Sequence, residues 1–322
     1  MLNYHRLAGA TNDKGRYRPR NHFTLVFSRI FDYLLTMAAQ PGLSVIIPTY
    51  NRAPLVKEAV ASVLAQTWRD FEVLVVDDAS RDGTAEALAA FGSRIRLLRS
   101  PSRLGVAAAR NLGICAARGQ WLAFLDSDDL WRPEKLARQM AYLAGLPELV
   151  LCQTEETWER RGLKVNQPRS HRKIGGWIFF QSLERCLVSP SAVILHRTVF
   201  QKHGGFDENL PAAEDYDLWL RLSWRYQIGL LPEALVIKRG GRDDQLSAQW
   251  GLDRFRIRAL LKLLDDPGLP APEAQAARRT LARKCAIYAQ GCEKRGRLEE
   301  AGVYRGLGRQ AEGEVPTLDK MP

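Results

Sequence analysis

Three carboxylates, Asp126, Asp128 and Asp129, follow an apolar run in the stretch WLAFLDSDDLW at residues 121–131. The run from Trp121 to Leu125 has the length and composition of a buried strand, with Gly119 ahead of it and Pro133 behind. Asp126 and Asp128 are two apart, so an extended segment turns both to one side. Carboxylates gathered at a strand end repel one another, and a cation or ligand relieves that repulsion. A few carboxylates, with waters and substrate phosphates completing the shell, suit Mg²⁺ or Mn²⁺. The same residues equally describe a solvated acidic turn before a helix. Taken alone, they leave both readings open.

Other segments could share that chemistry. PTYNR (48–52) and DDASRDGT (77–84) each follow a strand-like run. Asp77 and Asp78 can accept hydrogen bonds from a base N–H or ribose hydroxyls, and Tyr50 can stack on a ring. The plain alternative is a strand-to-helix turn capped by Ser80 or Asp82. Arg110 and Asn111 interrupt an Ala-rich helix whose Ala107, Ala108 and Ile114 suit a core, which turns the two polar residues toward a crevice. AEDYDLWLRL (213–222) reads as a helix with acids at its positive end. Dipole complementarity accounts for Glu214 and Asp215, Leu218, Trp219 and Leu222 suit the core, and Asp217 can face either way. The basic, Gly-containing loop KRGGRDDQLS (238–247) can fold over a diphosphate, with Arg239 and Arg242 as donors, or serve as a linker.

The elements that must position these residues alternate. Strands are expected at 43–47, 71–77, 94–98 and 121–125, with helices at 54–67, 82–91 and 105–118. Pro54 and Pro133 suit first helical turns. Such alternation gives an α/β fold with a mostly parallel sheet covered by helices. In open sheets of this kind ligands gather at the carboxyl ends of the strands, where the acidic segments fall. Residues 150–190 read as irregular and basic, and 191–196 as a buried strand. From Trp250 the chain is mostly helical. Residues 281–307 resemble one helix–turn–helix with Gly296 at the turn, and no second copy supports a repeat array. The expected division is an N-terminal extension (1–40), a catalytic domain (41–248) and a C-terminal helical region (249–322).

Composition bounds the partners. A net charge of +11 over 322 residues favours an anionic partner: a phosphorylated substrate or a membrane face. Nucleic acid is not expected, because no binding motif appears and the arginines are scattered. Five cysteines without a C-x-x-C pair favour reduced thiols in a cytoplasmic protein. No run is long and apolar enough to span a bilayer. Residues 23–37 come nearest, interrupted by Arg29 and Asp32. They read either as an amphipathic helix lying on a membrane behind Arg16, Arg18 and Arg20, or as untranslated sequence ahead of a true start at Met37; the second is preferred.

Taken in order, SVIIPTYNR (44–52), FEVLVVDDASRDGT (71–84), GVAAARNLG (105–113), LDSDD (125–129) and AEDYD (213–217) resemble the family 2 glycosyltransferases. The resemblance implies a GT-A fold: a Rossmann-like, mostly parallel sheet covered by helices, here with a C-terminal helical extension. It further implies a nucleotide-diphosphosugar donor, Mg²⁺ or Mn²⁺, and transfer with inversion. By resemblance Pro48, Tyr50, Arg52 and Asp78 surround the base, Asp126 lies near the ribose or sugar, Asp128 holds the metal, Asp129 is an alternative ligand and Asp215 is the base. With the residue-based candidates, the nucleotide-sugar set is Pro48, Tyr50, Arg52, Asp77, Asp78, Arg110, Asn111, Asp126 and Arg242. The metal set is Asp126, Asp128 and Asp129. Many relatives carry histidine where Arg242 stands. Arginine stays protonated and cannot ligate a metal, so Arg242 is expected to contact the diphosphate.

The expected function is therefore glycosyl transfer to a glycan, lipid-linked or protein acceptor, in surface polysaccharide biosynthesis, with peripheral membrane association possible on the cytoplasmic side. A nucleotidylyltransferase would need a Gly-rich basic loop after the first strand, and PTYNR is not one. A non-catalytic nucleotide-sugar or partner-binding domain is the remaining alternative, against which Asp215 speaks. Acceptor recognition falls to residues 150–190 and the C-terminal helices, where Trp158 and Trp177 can stack on a sugar or simply pack.

Overall fold

The computed structural model describes residues 40–242 and 250–313; both readings of residues 1–36, and residues 243–247 of the basic loop, lie outside them. The described residues from Pro41 onward belong to one compact unit.

Four strands build its first half: β1 (Leu43–Thr49), β2 (Phe71–Asp77), β3 (Arg96–Arg99) and β4 (Trp121–Phe124). They pair in parallel in the order β3-β2-β1-β4. Every residue of β1 is buried, because it is central and covered on both faces. Helix α1 (Ala53–Leu64) starts with proline in its first turn and buries Val56, Ala59, Val60 and Val63 on one stripe. Helices α2 (Thr84–Ala89) and α3 (Val106–Ala116) complete the alternation. Gly113 lets α3 lie directly on β1, since a Cβ there would stand 2.4 Å from Ile46 Cγ2.

The sheet is mixed beyond β4, which corrects the mostly parallel expectation. After the short β5 (Leu130–Trp131) and helix α4 (Lys135–Ala144), residues 150–190 are not irregular. They contain a ten-residue strand, β6 (Leu151–Arg160), a hairpin partner β7 (Leu163–Val165) and a short helix α5 (Phe179–Ser182). The run LCQTEETWER is too polar to stand out as a strand; its pairing with β9 (Gly229–Gly240) and β8 (Val193–His196) makes it one. The full order is β3-β2-β1-β4-β8-β6-β9-β5, with β7 beside β6.

The antiparallel strands have a positional consequence. β8 pairs antiparallel with β4, Ala123 opposite Ile194, so the residues just before β8 meet those just after β4. β9 pairs antiparallel with β5, Leu130 opposite Ile237, so residues after Ile237 meet those before Leu130. Both return chains therefore arrive at Asp126–Asp129.

Helices α6 (Thr198–His203) and α7 (Glu214–Ser223) follow β8. The C-terminal helices α8 (Leu252–Leu264), α9 (Ala271–Glu293) and α10 (Leu298–Gly313) share a core with α5 and α7 through Phe179, Leu183, Tyr216 and Leu220. Gly296 sits at the expected turn with φ of 72°. Among the described residues no helix is long and apolar enough to cross a membrane.

Lys135 is fully buried, its ammonium 4.0 Å from the centre of the Trp131 ring and without a hydrogen-bond partner among the described residues. Burial pushes it down from 10.5 to about 7. Between those values the unfolded chain holds a proton that the folded chain gives up, so stability rises with pH across that window. Lys135→Met is expected to stabilise the fold at pH 7 by about 1–3 kcal/mol and to flatten the rise. Urea denaturation at pH 7 and pH 10 checks this, and an unchanged pH dependence refutes it.

Candidate active site

A cavity of about 1340 Å³ opens at the carboxyl ends of β1, β2 and β4, bounded across from them by β6, the end of β9 and the start of α7. Each wall is tied down by polar contacts. After β1, the Asn51 amide donates to Ser80 Oγ at 2.8 Å, and Asn51 Oδ1 accepts from the Arg81 amide at 2.8 Å. Asn51, Ala79 and Ala213 have positive φ of 49°, 63° and 61°, and all three stand in loops at this end of the sheet. Left-handed backbone at residues with a Cβ is held there by such cross-links and clusters at functional sites.

Asp78 accepts from the amides of Leu104 and Gly105, both at 2.8 Å, and from Ser100 Oγ at 2.9 Å. It thus fixes the entry to α3 while its edge lines the cavity. Pro48, Tyr50 and Arg52 also line it, and one face of Tyr50 carries the Arg103 guanidinium at 4.3 Å.

Two expected contributors are elsewhere. Asp77 is fully buried and away from the cavity lining; it accepts from the Ser80 amide at 2.9 Å and pairs with Arg99 at 3.3 Å, closing its own turn. Asn111 is turned away as well. Its amide group donates to Phe206 O at 2.9 Å and its oxygen accepts from the Phe206 amide at 2.9 Å. The backbone passes so close there that a Cβ at Gly205 would lie 2.3 Å from Asn111 Oδ1. Asn111 is a clamp on the loop before α7, and helical spacing alone could not separate that role from a crevice role.

The acidic loop after β4 divides its labour. Ser191, brought there by β8, accepts from the Asp126 amide at 3.1 Å and donates to Asp129 Oδ2 at 2.7 Å. Asp129 Oδ1 accepts from the Arg239 amide at 3.0 Å. Asp129 is only 2% exposed, and burial raises its carboxyl to about 7. It lines the cavity, but each of its oxygens accepts a bond from the scaffold, which leaves Asp126 and Asp128 as the more exposed carboxylates of the loop. Asp128 pairs with Arg52 at 3.0 Å and with Arg242. Asp126 reaches Arg110 at 2.7 Å; burial raises its carboxyl, but Arg110, Lys238 and Arg52 outweigh that and hold it low. Among the described residues no group of three or more metal-ligating side chains is assembled. Asp126 and Asp128, two carboxylates on the cavity, remain.

Arg110 is the centre of this arrangement. It is 3% exposed and spans from Asp126 on one side to Glu214, at 2.5 Å, on the other. Glu214 therefore does more than complement the α7 dipole. Burial, opposed by Arg110 and reinforced by Asp215, raises its carboxyl to about 7. Asp215, next along, lines the cavity, with Cys186 Sγ donating to its Oδ2 at 3.4 Å. Asp217 points into the protein, paired with Arg221 at 3.0 Å and Lys262 at 3.2 Å. Trp219 is core, as expected. Ser191, Cys186 and the Arg110–Glu214 pair were not assigned from sequence. A buried arginine in an alanine-rich helix needs carboxylates, and that need was the available signal.

Residues 44–202 match the family Glycosyl transferase family 2, and residues 178–250 match Glycosyltransferase like family 2. The chain is 33% identical over 180 residues to UDP-Glc:alpha-D-GlcNAc-diphosphoundecaprenol beta-1,3-glucosyltransferase WfgD of Escherichia coli, covering 56% of this chain and 68% of that protein. It belongs to glycosyltransferase family 2. A relative in Rickettsia felis, an uncharacterised glycosyltransferase, is 34% identical over 215 residues, 65% of this chain but only 35% of its own length. The chain thus spans about a third of that relative. The family's fold is equally evident from solved structures. TarS 1-349 of S. aureus, in complex with UDP-GlcNAc, superposes with TM-score 0.63 at 18% identity, over 83% of this chain and 91% of that one. The mannosyltransferase PcManGT of Pyrobaculum calidifontis, in complex with GDP-Man and Mn²⁺, gives 0.54 at 20% identity over 92% and 87%. The GT-A architecture expected from the motifs is the architecture found.

Arg110 is expected to be a stability determinant. Removing one partner of a buried ion pair strands the other, so Arg110→Ala should lose about 3–5 kcal/mol. Arg110→Lys should recover only part, since an ammonium lacks the planar fork that spans two carboxylates. Urea denaturation measures both; a loss below about 1 kcal/mol for Arg110→Ala would refute the bridging role.

Proposed function

We propose that this chain is an inverting, metal-dependent glycosyltransferase that moves a sugar from a nucleotide-diphosphosugar to an acceptor hydroxyl. The observation that carries the reading is the bridge through Arg110. It ties the acidic loop at Asp126 to the helix start at Glu214, beside Asp215, so two acidic sites face one cavity at a fixed separation. Inversion by single displacement needs such a pair: one site at the leaving diphosphate and one free carboxylate at the attacking hydroxyl.

In this reading Tyr50, Arg52 and Asp78 receive the nucleotide, with Pro48 shaping the wall and Asp78 keeping lone pairs for a base N–H. Asp215 accepts the proton of the acceptor hydroxyl as the new bond forms. Arg110 holds both carboxylate sites in place, and Arg52 and Arg242 turn from Asp128 toward the diphosphate as charge-assisted donors. Two carboxylates, completed by phosphate oxygens and water, fit Mg²⁺ or Mn²⁺, so Asp126 and Asp128 would hold the ion. Bound there, it would supply charge neutralisation for the leaving diphosphate. UDP-GlcNAc in TarS and GDP-Man with Mn²⁺ in PcManGT support the donor class and the cation. A glycan or lipid-linked acceptor is supported by the diphosphoundecaprenol substrate in the name of WfgD, and with it a place in surface polysaccharide biosynthesis.

Hydrolysis of a panel of UDP- and GDP-sugars with Mn²⁺ tests the assignment. Asp215→Asn is expected to lower turnover by about 10²–10⁴-fold. Equal rates for wild type and variant would overturn Asp215 as the base, and an inert wild type would favour a binding module. Arg242→Ala is expected to raise the donor KM with little change in kcat; an unchanged KM refutes its contact with the diphosphate.

A further inference from the structure

Beside Asp215 the cavity wall turns basic. Cys186 touches the Asp215 carboxylate, so Arg185 is the residue next to that contact. Arg185 lines the cavity, half-buried, and among the described residues it makes no hydrogen bond or ion pair. His171 and Lys173 line the same cavity. Their imidazole and ammonium stand close enough to Arg185 for the charges to interact: burial first, then the charges of Arg185 and Lys173, lower His171 below its ordinary value. Lys173 has a counter-charge, Glu156 at 3.5 Å, and is nearly buried with it. Arg185 has none. A half-buried guanidinium facing a cavity, reinforced by neighbouring cationic groups, is suited to a phosphate, which its planar fork meets with two parallel hydrogen bonds.

The donor's diphosphate has its own partners, Arg52 and Arg242 at Asp128. The Arg185 wall lies instead on the side of the cavity where Cys186 meets the carboxylate that would deprotonate the acceptor. We propose that Arg185, with His171 and Lys173, forms a subsite for a phosphate or diphosphate carried by the acceptor near its attacking hydroxyl. This rests on the reading of Asp215 as the base and extends it to the substrate: the acceptor is anionic, a sugar phosphate or a lipid-linked sugar diphosphate.

Isothermal titration of the full chain with undecyl diphosphate, below its micelle concentration, and with inorganic pyrophosphate tests the subsite. Wild type binds undecyl diphosphate; Arg185→Gln weakens that binding at least tenfold, about 1.4 kcal/mol, and Arg185→Lys recovers part of it. Undecyl diphosphate binding tenfold tighter than pyrophosphate supports a lipid-linked acceptor, and equal affinities support a soluble sugar phosphate. No binding, equal affinities for wild type and Arg185→Gln, or an equal loss of UDP and GDP affinity in Arg185→Gln would overturn the subsite. The Arg185 dependence of this binding does not involve Asp215. Failure of the base assignment would appear only in donor turnover by Asp215→Asn, so the two failures are distinguishable.

Discussion

A guanidinium on the buried side of a helix, shared between two carboxylates, governs this molecule. Arg110 is too buried to be tolerated alone, and its two partners come from distant parts of the chain, Asp126 after β4 and Glu214 at the start of α7. Everything that brings those partners within reach is therefore constrained. Gly113 sets α3 against β1, Asn111 clamps the loop that leads into α7, and the shared core of α7 with the C-terminal helices holds that helix in place. Two successive polar residues on one short helix, Arg110 bridging and Asn111 clamping, convert helix position into site geometry.

The acidic loop depends on a second constraint, the reversal of strand direction after β4. A wholly parallel sheet would deliver helix connections to this end and no returning strand. Because β8 runs antiparallel, Ser191 arrives opposite Asp126, and because β9 pairs with β5, the Arg239 amide arrives at Asp129. Asp129, the one carboxylate of the three that is sealed from solvent, serves as the fastening for both returning chains. Its two neighbours stand more exposed on the same cavity.

Much of this was legible beforehand. β2 falls on the expected residues, the alternation of 43–125 is as read, and Gly296 marks the expected turn, because apolar runs and Gly or Pro punctuation are local signals. The convergence of Pro48–Arg52, Asp78 and Asp126–Asp128 followed from the rule for strand ends. What did not follow was set by long-range pairing. β6 is polar along its length and becomes a strand through β9, whose partner residues lie some eighty positions later. Asp77, Asp129 and Asn111 carry the residue types of a binding site, yet their hydrogen bonds fasten the scaffold: within one turn for Asp77, across the fold for Asp129 and Asn111. Type and spacing identify candidates; only the tertiary bond partners divide ligand-facing groups from fasteners.

The separation of Arg110 from Glu214 also fixes an order of events in the making of the protein. The chain is synthesised from its N-terminus, and α3 with the acidic loop emerges about a hundred residues before Glu214. During that interval Asp126 is the only one of the two carboxylate partners yet made, and the loop that carries Glu214 has not yet been clamped by Asn111. The half that carries β1 to β4 can assemble its parallel strands early, but its central cation has both carboxylate partners only when α7 arrives. Maturation of the cavity is thus tied to completion of the chain's second half, and a partial chain carries the acidic loop without the opposing wall.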